Sequence, residues 1–174
     1  MKKFTLIITA LLFSVTAFAQ QALDTDFSHT KIMKVSGKTI NKAGHLVFDG
    51  EDHLSMNYTE PEGESFIIEG NMVKINLDGK KAELDSDKSK MIKLQRNTLL
   101  NCLSGQWEQA AEDNEADLTV DEADGQRNVL IQAKGKVPRG GYSSVELTYR
   151  LSDGMMTKMV LEEPTGIKNI YELK

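Results

Sequence analysis

From Phe27 onward the chain runs in short stretches where apolar and polar residues alternate between turn residues, the period-2 signature of strands with one buried face. Leu54, Met56 and Tyr58 share a face, with Ser55 and Asn57 opposite. Phe66 and Ile68 alternate with Ile67 and Glu69. The alternation continues in Val73, Ile75 and Leu77 beyond Glu69-Gly70-Asn71, which predicts a hairpin closed by a turn of the Gly-Asn type. A second turn, Asp78-Gly79, leads into Ala82 and Leu84, so three consecutive strands form an antiparallel meander.

The period then changes. Met91, Leu94, Leu99, Cys102 and Leu103 recur at near-helical spacing and predict a helix over Ser86 to Leu103, capped by Asp85 or Ser86 and ended by Gly105. Gln106 to Glu112, with Trp107 and the Ala110-Ala111 pair, adds a further turn or two. Strands resume at Leu118 and Val120, then at Val129, Ile131 and Ala133. Val145, Leu147, Tyr149 and Leu151 alternate with Glu146, Thr148 and Arg150, and Met156 to Glu162 and Ile167 to Leu173 complete the set. About ten strands and one or two helices predict one α+β unit, an antiparallel sheet with a helix covering one face.

The N-terminus is of another kind. Met1 to Ala19 has Lys2 and Lys3, an apolar stretch from Phe4 to about Val15, and Ala17-Phe18-Ala19, the small-x-small pattern of a signal peptidase site. The stretch falls short of the roughly 20 apolar residues that span a bilayer, so it reads as a cleaved secretory signal. Gln20 follows the cleavage pattern where a lipoprotein signal has Cys, so no lipid anchor is expected. The expected division is signal 1–19, a short segment Gln20 to Asp26, and a single domain Phe27 to Lys174.

Removing the signal changes the composition. Without Lys2 and Lys3 the 21 basic residues fall to 19 against 26 acidic ones, a net charge of −7, which disfavours nucleic acid as a partner. Cys102 is the single cysteine, so no intramolecular disulfide can form and the core must hold the fold even in an oxidising compartment. Seven methionines remain, and although flexible thioethers suit an adaptable greasy cavity, ordinary core packing is the favoured reading of their number.

Catalytic motifs are scarce. The chain has no G-x-S-x-G elbow, no phosphate-binding Gly-rich loop and no H-E-x-x-H helix. His29, His45 and His53 lack the mutual spacing of a metal site and read as surface or partly buried polar residues. No cofactor or metal is expected, and a small hydrolase using these histidines has little support. Glu112 to Asp124 carries seven acidic residues and no base; it reads as a solvated acidic loop, with a docking surface for a basic partner as the alternative.

The order of the elements carries a resemblance. Phe27-Ser28-His29-Thr30-Lys31, Gly44-His45-Leu46-Val47-Phe48, Leu54 to Pro61 and Phe66 to Val73 together resemble the N-terminal half of the LolA-like family of periplasmic outer-membrane lipoprotein carriers. Its pattern there is F-x-Q-x-K, G-x-L-x-F/V, L-x-W-x-Y/M-x-x-P and a D/N-G before an aliphatic strand. Leu103-Ser104-Gly105, Val137-Pro138-Arg139 and the T-x-M-x-L-x-E-x-x-G-x-K-x-x-Y pattern from Thr157 to Tyr171 match the second half in order. The resemblance implies a strongly curved antiparallel half-barrel whose concave apolar face is covered by one or two helices and shelters acyl chains. It also implies a non-enzymatic periplasmic carrier, monomeric and without a cofactor. The carrier would receive lipoprotein or lipid cargo from an inner-membrane lipoprotein-releasing transporter and pass it to an outer-membrane acceptor. A sensing or interaction module on the same half-barrel, binding a lipoprotein-like signal or a protein partner, is the alternative.

The chain departs from the family pattern in three places. Only Gln20 to Asp26 precedes Phe27, where the family has a helix of several turns. Met56 replaces the strand tryptophan, and Gly50 and Glu51 stand where proteobacterial members often have an Arg-Pro pair. His29 occupies a position where glutamine is usual.

On this reading the sheet-face lining of the cavity comprises Leu54, Met56, Tyr58, Phe66, Ile68, Val73, Ile75, Val145, Leu147, Tyr149, Met159 and Leu161. Met91, Leu94, Leu99 and Leu103 would cover it from the helix.

Overall fold

In the computed structural model, which describes residues 22–138 and 140–174, the alternating runs become eleven strands of one sheet. The proposed signal, 1–19, lies outside the described residues. The first six strands are β1 (Leu23–Met33), β2 (Lys38–Phe48), β3 (His53–Glu60), β4 (Glu62–Glu69), β5 (Met72–Leu77) and β6 (Lys80–Asp85). A 3-10 turn, Ser86–Lys88, then leads to α1 (Lys90–Leu103) and α2 (Trp107–Asp113). The chain returns through β7 (Ala116–Ala123), β8 (Gln126–Ala133), β9 (Ser144–Arg150), β10 (Met156–Glu162) and β11 (Ile167–Leu173).

The sheet order is β6-β5-β4-β3-β2-β1-β11-β10-β9-β8-β7, and every neighbouring pair is antiparallel. Two meanders therefore meet where the first strand pairs with the last, His29 facing Tyr171. The far edges, β6 and β7, are not paired with each other, so the sheet is open. It is also strongly curved. Asp78, at the end of β5, lies four strand spacings from β1, about 19 Å on a flat sheet, yet its carboxylate is 2.9 Å from Lys31 Nζ in β1.

Pairing register assembles the core in rows across the concave face. Leu46, Met56, Phe66 and Ile75 stand opposite one another in sequence, as do Tyr171, Met159, Leu147 and Val129. Gly44 is the gap in this surface. A Cβ there would lie 2.4 Å from the Asn57 carbonyl and 2.7 Å from the Phe27 ring, so only glycine lets Phe27 lie flat across β2.

The helices fill one side of the concavity. The predicted helix over Ser86 to Leu103 begins later than its pattern suggested, at Lys90. Asp85 caps the 3-10 turn by accepting from Asp87 N–H, Ser89 is extended, and its side chain then caps α1 by accepting from Ile92 N–H. Short polar side chains such as those of Ser86, Asp87 and Ser89 hydrogen-bond nearby backbone and favour caps over helix interiors. Leu99, Leu100, Cys102 and Leu103 of α1 and Trp107, Ala110 and Ala111 of α2 are buried. Trp107 Nε1–H donates to the Tyr149 hydroxyl at 2.8 Å, and that hydroxyl donates to the Cys102 carbonyl at 2.8 Å, joining both helices to β9.

Two further expectations are corrected. The acidic stretch Glu112 to Asp124 is mostly an edge strand, β7, rather than a loop, and its carboxylates reach bases on β8 and just beyond it: Glu122 pairs with Arg127 and Asp117 with Lys134. Charged side chains on an exposed edge discourage strand addition. Leu23 to Asp26 belong to the sheet, since β1 already pairs with β2 from Leu23, opposite Phe48. No helix among the described residues is long and apolar enough to cross a membrane.

Candidate functional site

Between the concave sheet and α1 the side chains leave a cavity of about 260 Å3. Its apolar wall comes from alternate positions of β2 to β5 and β10: Leu46, Leu54, Met56, Phe66, Ile75, Leu77, Met159 and Leu161. The helix contributes one stripe at i, i+4 and i+8, Gln95, Leu99 and Leu103, with Gln95 donating to the Gly140 carbonyl. Tyr142 and Gly140 line it from the β8–β9 connection.

One part of the lining is polar, because β1, β2 and β11 present polar residues on their concave face. His29, Lys31, Lys42, Asp78 and Asn169 are all in the wall. His29 is 5% exposed and stacks on Tyr171, with ring centroids 4.3 Å apart and planes 16° from parallel. Its Nε2 is 3.1 Å from Asn169 Oδ1, and Nδ1 is 3.1 Å from the Tyr58 hydroxyl. With the amide oriented so, Asn169 Oδ1 only accepts. Nε2 therefore carries the proton, and Nδ1 accepts from Tyr58.

Burial, and then the nearby Lys42 and Lys31 ammonium groups, pull the His29 pKa down to about 4. The ring is neutral at physiological pH. Burial holds the Tyr58 hydroxyl protonated well above the ordinary tyrosine range, consistent with its role as donor.

Beside this pair, Lys42 has a side chain only 4% exposed. Its Nζ is 2.5 Å from Glu64 Oε2 and 2.7 Å from Asp78 Oδ1, and it lies 5.5 Å from the centre of the Tyr58 ring. The other Asp78 oxygen is 2.9 Å from Lys31 Nζ. One carboxylate thus bridges two ammonium groups, and Lys42 and Lys31 hold the Asp78 pKa down at about 2. Burial lowers the Lys42 pKa, but the hydrogen bonds to Asp78 and Glu64 outweigh it and raise the pKa above the ordinary lysine value. The four charges balance.

Of the expected lining residues, the structure brings Leu54, Met56, Tyr58, Phe66, Ile75, Leu99, Leu103, Met159 and Leu161 together around this cavity. Ile68 and Val73 share the concave face but lie in its filled part, as do Val145, Leu147 and Tyr149, the last covered by Trp107. Met91 is half-buried on α1 outside the cavity wall, and Leu94 lines a separate hollow beside residues 133–138. Periodicity missed the polar wall. The available signal was the inward parity of His29 and Lys31 with Phe27, and of Lys42 with Leu46 and Phe48.

The remaining histidines are elsewhere. His45 is on the opposite face, 2.8 Å from Asp24 and 2.9 Å from Asp26, whose hydrogen bonds raise its pKa. His53 is half-buried at the start of β3. Among the described residues no group of three His, Cys, Asp or Glu side chains is placed to hold a metal ion.

No protein-family model and no curated protein sequence matches the chain. Solved structures do. A LolA superfamily protein, NE2245, from Nitrosomonas europaea is 11% identical, with a TM-score of 0.42 over 90% of this chain and 86% of that one. A DUF1329 family protein from Desulfovibrio piger is 13% identical, with a TM-score of 0.40 over 91% and 85% of the two chains. The Mycobacterium tuberculosis lipoprotein LppX is 9% identical, with a TM-score of 0.32 over 87% and 85%. The ligand chemistry of the cavity follows from its own residues.

Proposed function

We propose that this protein is a binding protein and carrier for ligands that bear acyl chains, exported from the cytoplasm and working between membranes. The observation that carries this reading is the unfilled cavity of about 260 Å3, walled mainly by Leu, Ile, Met and Phe in a protein that otherwise packs its core. Each methylene moved from water into such a wall gains about 0.8 kcal/mol, so a chain of ten carbons gains on the order of 8 kcal/mol. That gain drives capture without covalent chemistry.

The basic N-terminus, short apolar stretch and Ala17-Phe18-Ala19 support export through a signal peptide and hence a periplasmic location. The sequence resemblance to the LolA-like carriers supports lipoprotein or lipid as the cargo class, with delivery from an inner-membrane transporter to an outer-membrane acceptor as the finer form of the proposal.

Native mass spectrometry of protein purified from periplasm, with displacement of a fluorescent apolar probe, tests the reading. Co-purified lipid or saturable probe uptake is the expected result. Protein that is consistently empty and takes up no probe removes it, and a single stoichiometric protein partner without lipid would favour an interaction module instead.

A further inference from the structure

The polar part of the cavity wall specifies a head group. Building on the acyl-chain reading, we infer that the cavity takes a single-chain amphiphile with a carboxylate head, which replaces the Asp78 carboxylate between Lys31 and Lys42.

Three observations carry this. The first is the bridge itself: Asp78 Oδ1 meets Lys42 at 2.7 Å and Oδ2 meets Lys31 at 2.9 Å, so the wall already has the geometry of a two-point carboxylate site, occupied from within. Both ammonium groups and Asp78 border the cavity that Leu46, Met56 and Leu99 enclose, which puts the charged site at the wall of the greasy one.

The second is the unequal anchoring of the partners. Lys42 is 4% exposed and is held additionally by Glu64, whereas the Asp78 side chain is 40% exposed at the Asp78-Gly79 turn. Rotating Asp78 into water frees the bridge without moving a strand. The turn backbone keeps its own tie, Asp78 N–H donating to Glu64 Oε1 at 2.8 Å.

The third is charge. With Asp78 in place, Lys31, Lys42, Glu64 and Asp78 sum to zero; with Asp78 turned outward, the remaining three groups carry one positive charge, which a carboxylate cancels and an alcohol or amine does not. Glu163, the other acidic residue in the lining, sits outside this bridge with its carboxylate accepting from Thr165.

Size points to one chain. At about 30 Å3 for each water-sized group, the cavity holds on the order of ten such groups, enough for most of one medium acyl chain.

Isothermal titration of laurate, 1-dodecanol and dodecyl phosphate into the purified protein at pH 7.5 tests the inference. Laurate is expected to bind at least tenfold more tightly than 1-dodecanol and more tightly than dodecyl phosphate. The laurate-to-dodecanol ratio should fall toward one in Lys42→Met and in the milder Lys31→Met, and should rise severalfold in Asp78→Asn, which removes the internal competitor. Circular dichroism melts identify any variant that fails to fold, and Asp78→Asn alone then decides the sign. Equal binding of laurate and dodecanol to the unaltered protein, stronger binding of the phosphate, or weakened laurate binding in Asp78→Asn overturns the carboxylate site and leaves the acyl-chain reading standing. Binding of none of the three removes the acyl-chain reading itself.

Discussion

His29 makes a prediction whose size follows from where its ring sits. It is 5% exposed, neutral, bonded at both nitrogens, and its pKa is pulled from 6.5 to about 4 by burial and by Lys42 and Lys31. The unfolded chain takes up a proton near pH 6.5 that the folded protein refuses until near pH 4. The unfolded state therefore binds more protons in that window, and stability must fall as the pH drops through it. The term is fully stabilising above pH 6.5, declines from there to pH 4, and is constant below. Between pH 7.5 and pH 5 it removes about 2 kcal/mol, or about 4–8 °C in Tm for a domain of this size.

Other groups titrate too. Asp78 keeps its charge throughout, since its pKa is near 2. His45, raised by Asp26 and Asp24, works in the opposite sense, because its stabilisation is present when it is protonated and is lost as pH rises. Comparison with His29→Gln isolates the ring, because glutamine can donate to Asn169 and accept from Tyr58 but does not titrate. Urea midpoints at both pH values should show the unaltered protein losing about 2 kcal/mol more than the variant. Equal losses in the two proteins would refute the buried neutral imidazole.

Three further outcomes follow from packing. Gly44→Ala puts a methyl group 2.4 Å from the Asn57 carbonyl and should cost about 1–3 kcal/mol in chemical denaturation, whereas Gly135→Ala, with open space at its Cβ position, should be close to neutral. Cys102 is fully buried and burial pushes its thiol up to about 12, so Ellman's reagent should label it only at the rate of global or α1 opening; rapid labelling of the native protein would contradict the packing of α1. Leu99→Trp projects an indole into the cavity and should reduce apolar-probe uptake more than tenfold while moving Tm by only a few degrees; undiminished uptake would place the probe elsewhere.

The fold was legible where one face of a strand is dry and the other wet. In β3, β4 and β5 most inward residues, among them Leu54, Met56, Phe66, Ile68, Val73 and Ile75, are apolar, and tight turns at Gly70-Asn71 and Asp78-Gly79 fix the pairing, so local pattern and tertiary position agree. The same rule misreads β1 and β2. There the inward positions include His29, Lys31, Lys42 and Gly44, and a pattern of apolar residues passes over them although they share parity with Phe27, Leu46 and Phe48. Their polarity is tolerated because each is answered by a residue distant in sequence: His29 by Asn169 and Tyr58, Lys42 by Glu64 and Asp78. Those partners come together only once the sheet has curved and β1 has paired with β11.

The cavity was illegible for a related reason. Alternation states which way a side chain points and not whether the facing element arrives close enough to fill the space, so Ile68, Val73 and Leu147, which pack into the closed core, have the same sequence signature as Met56, Ile75 and Met159, which border the void. What separates the two groups is the placement of α1, whose Gln95, Leu99 and Leu103 stripe approaches the sheet over only part of its width. Polar inward residues on strands that are otherwise core-facing are therefore the better guide to a binding site in such a sheet. A filled core has little use for a buried lysine, whereas a wall that receives an amphiphile uses it twice, to hold its own aspartate when empty and the ligand's head when full.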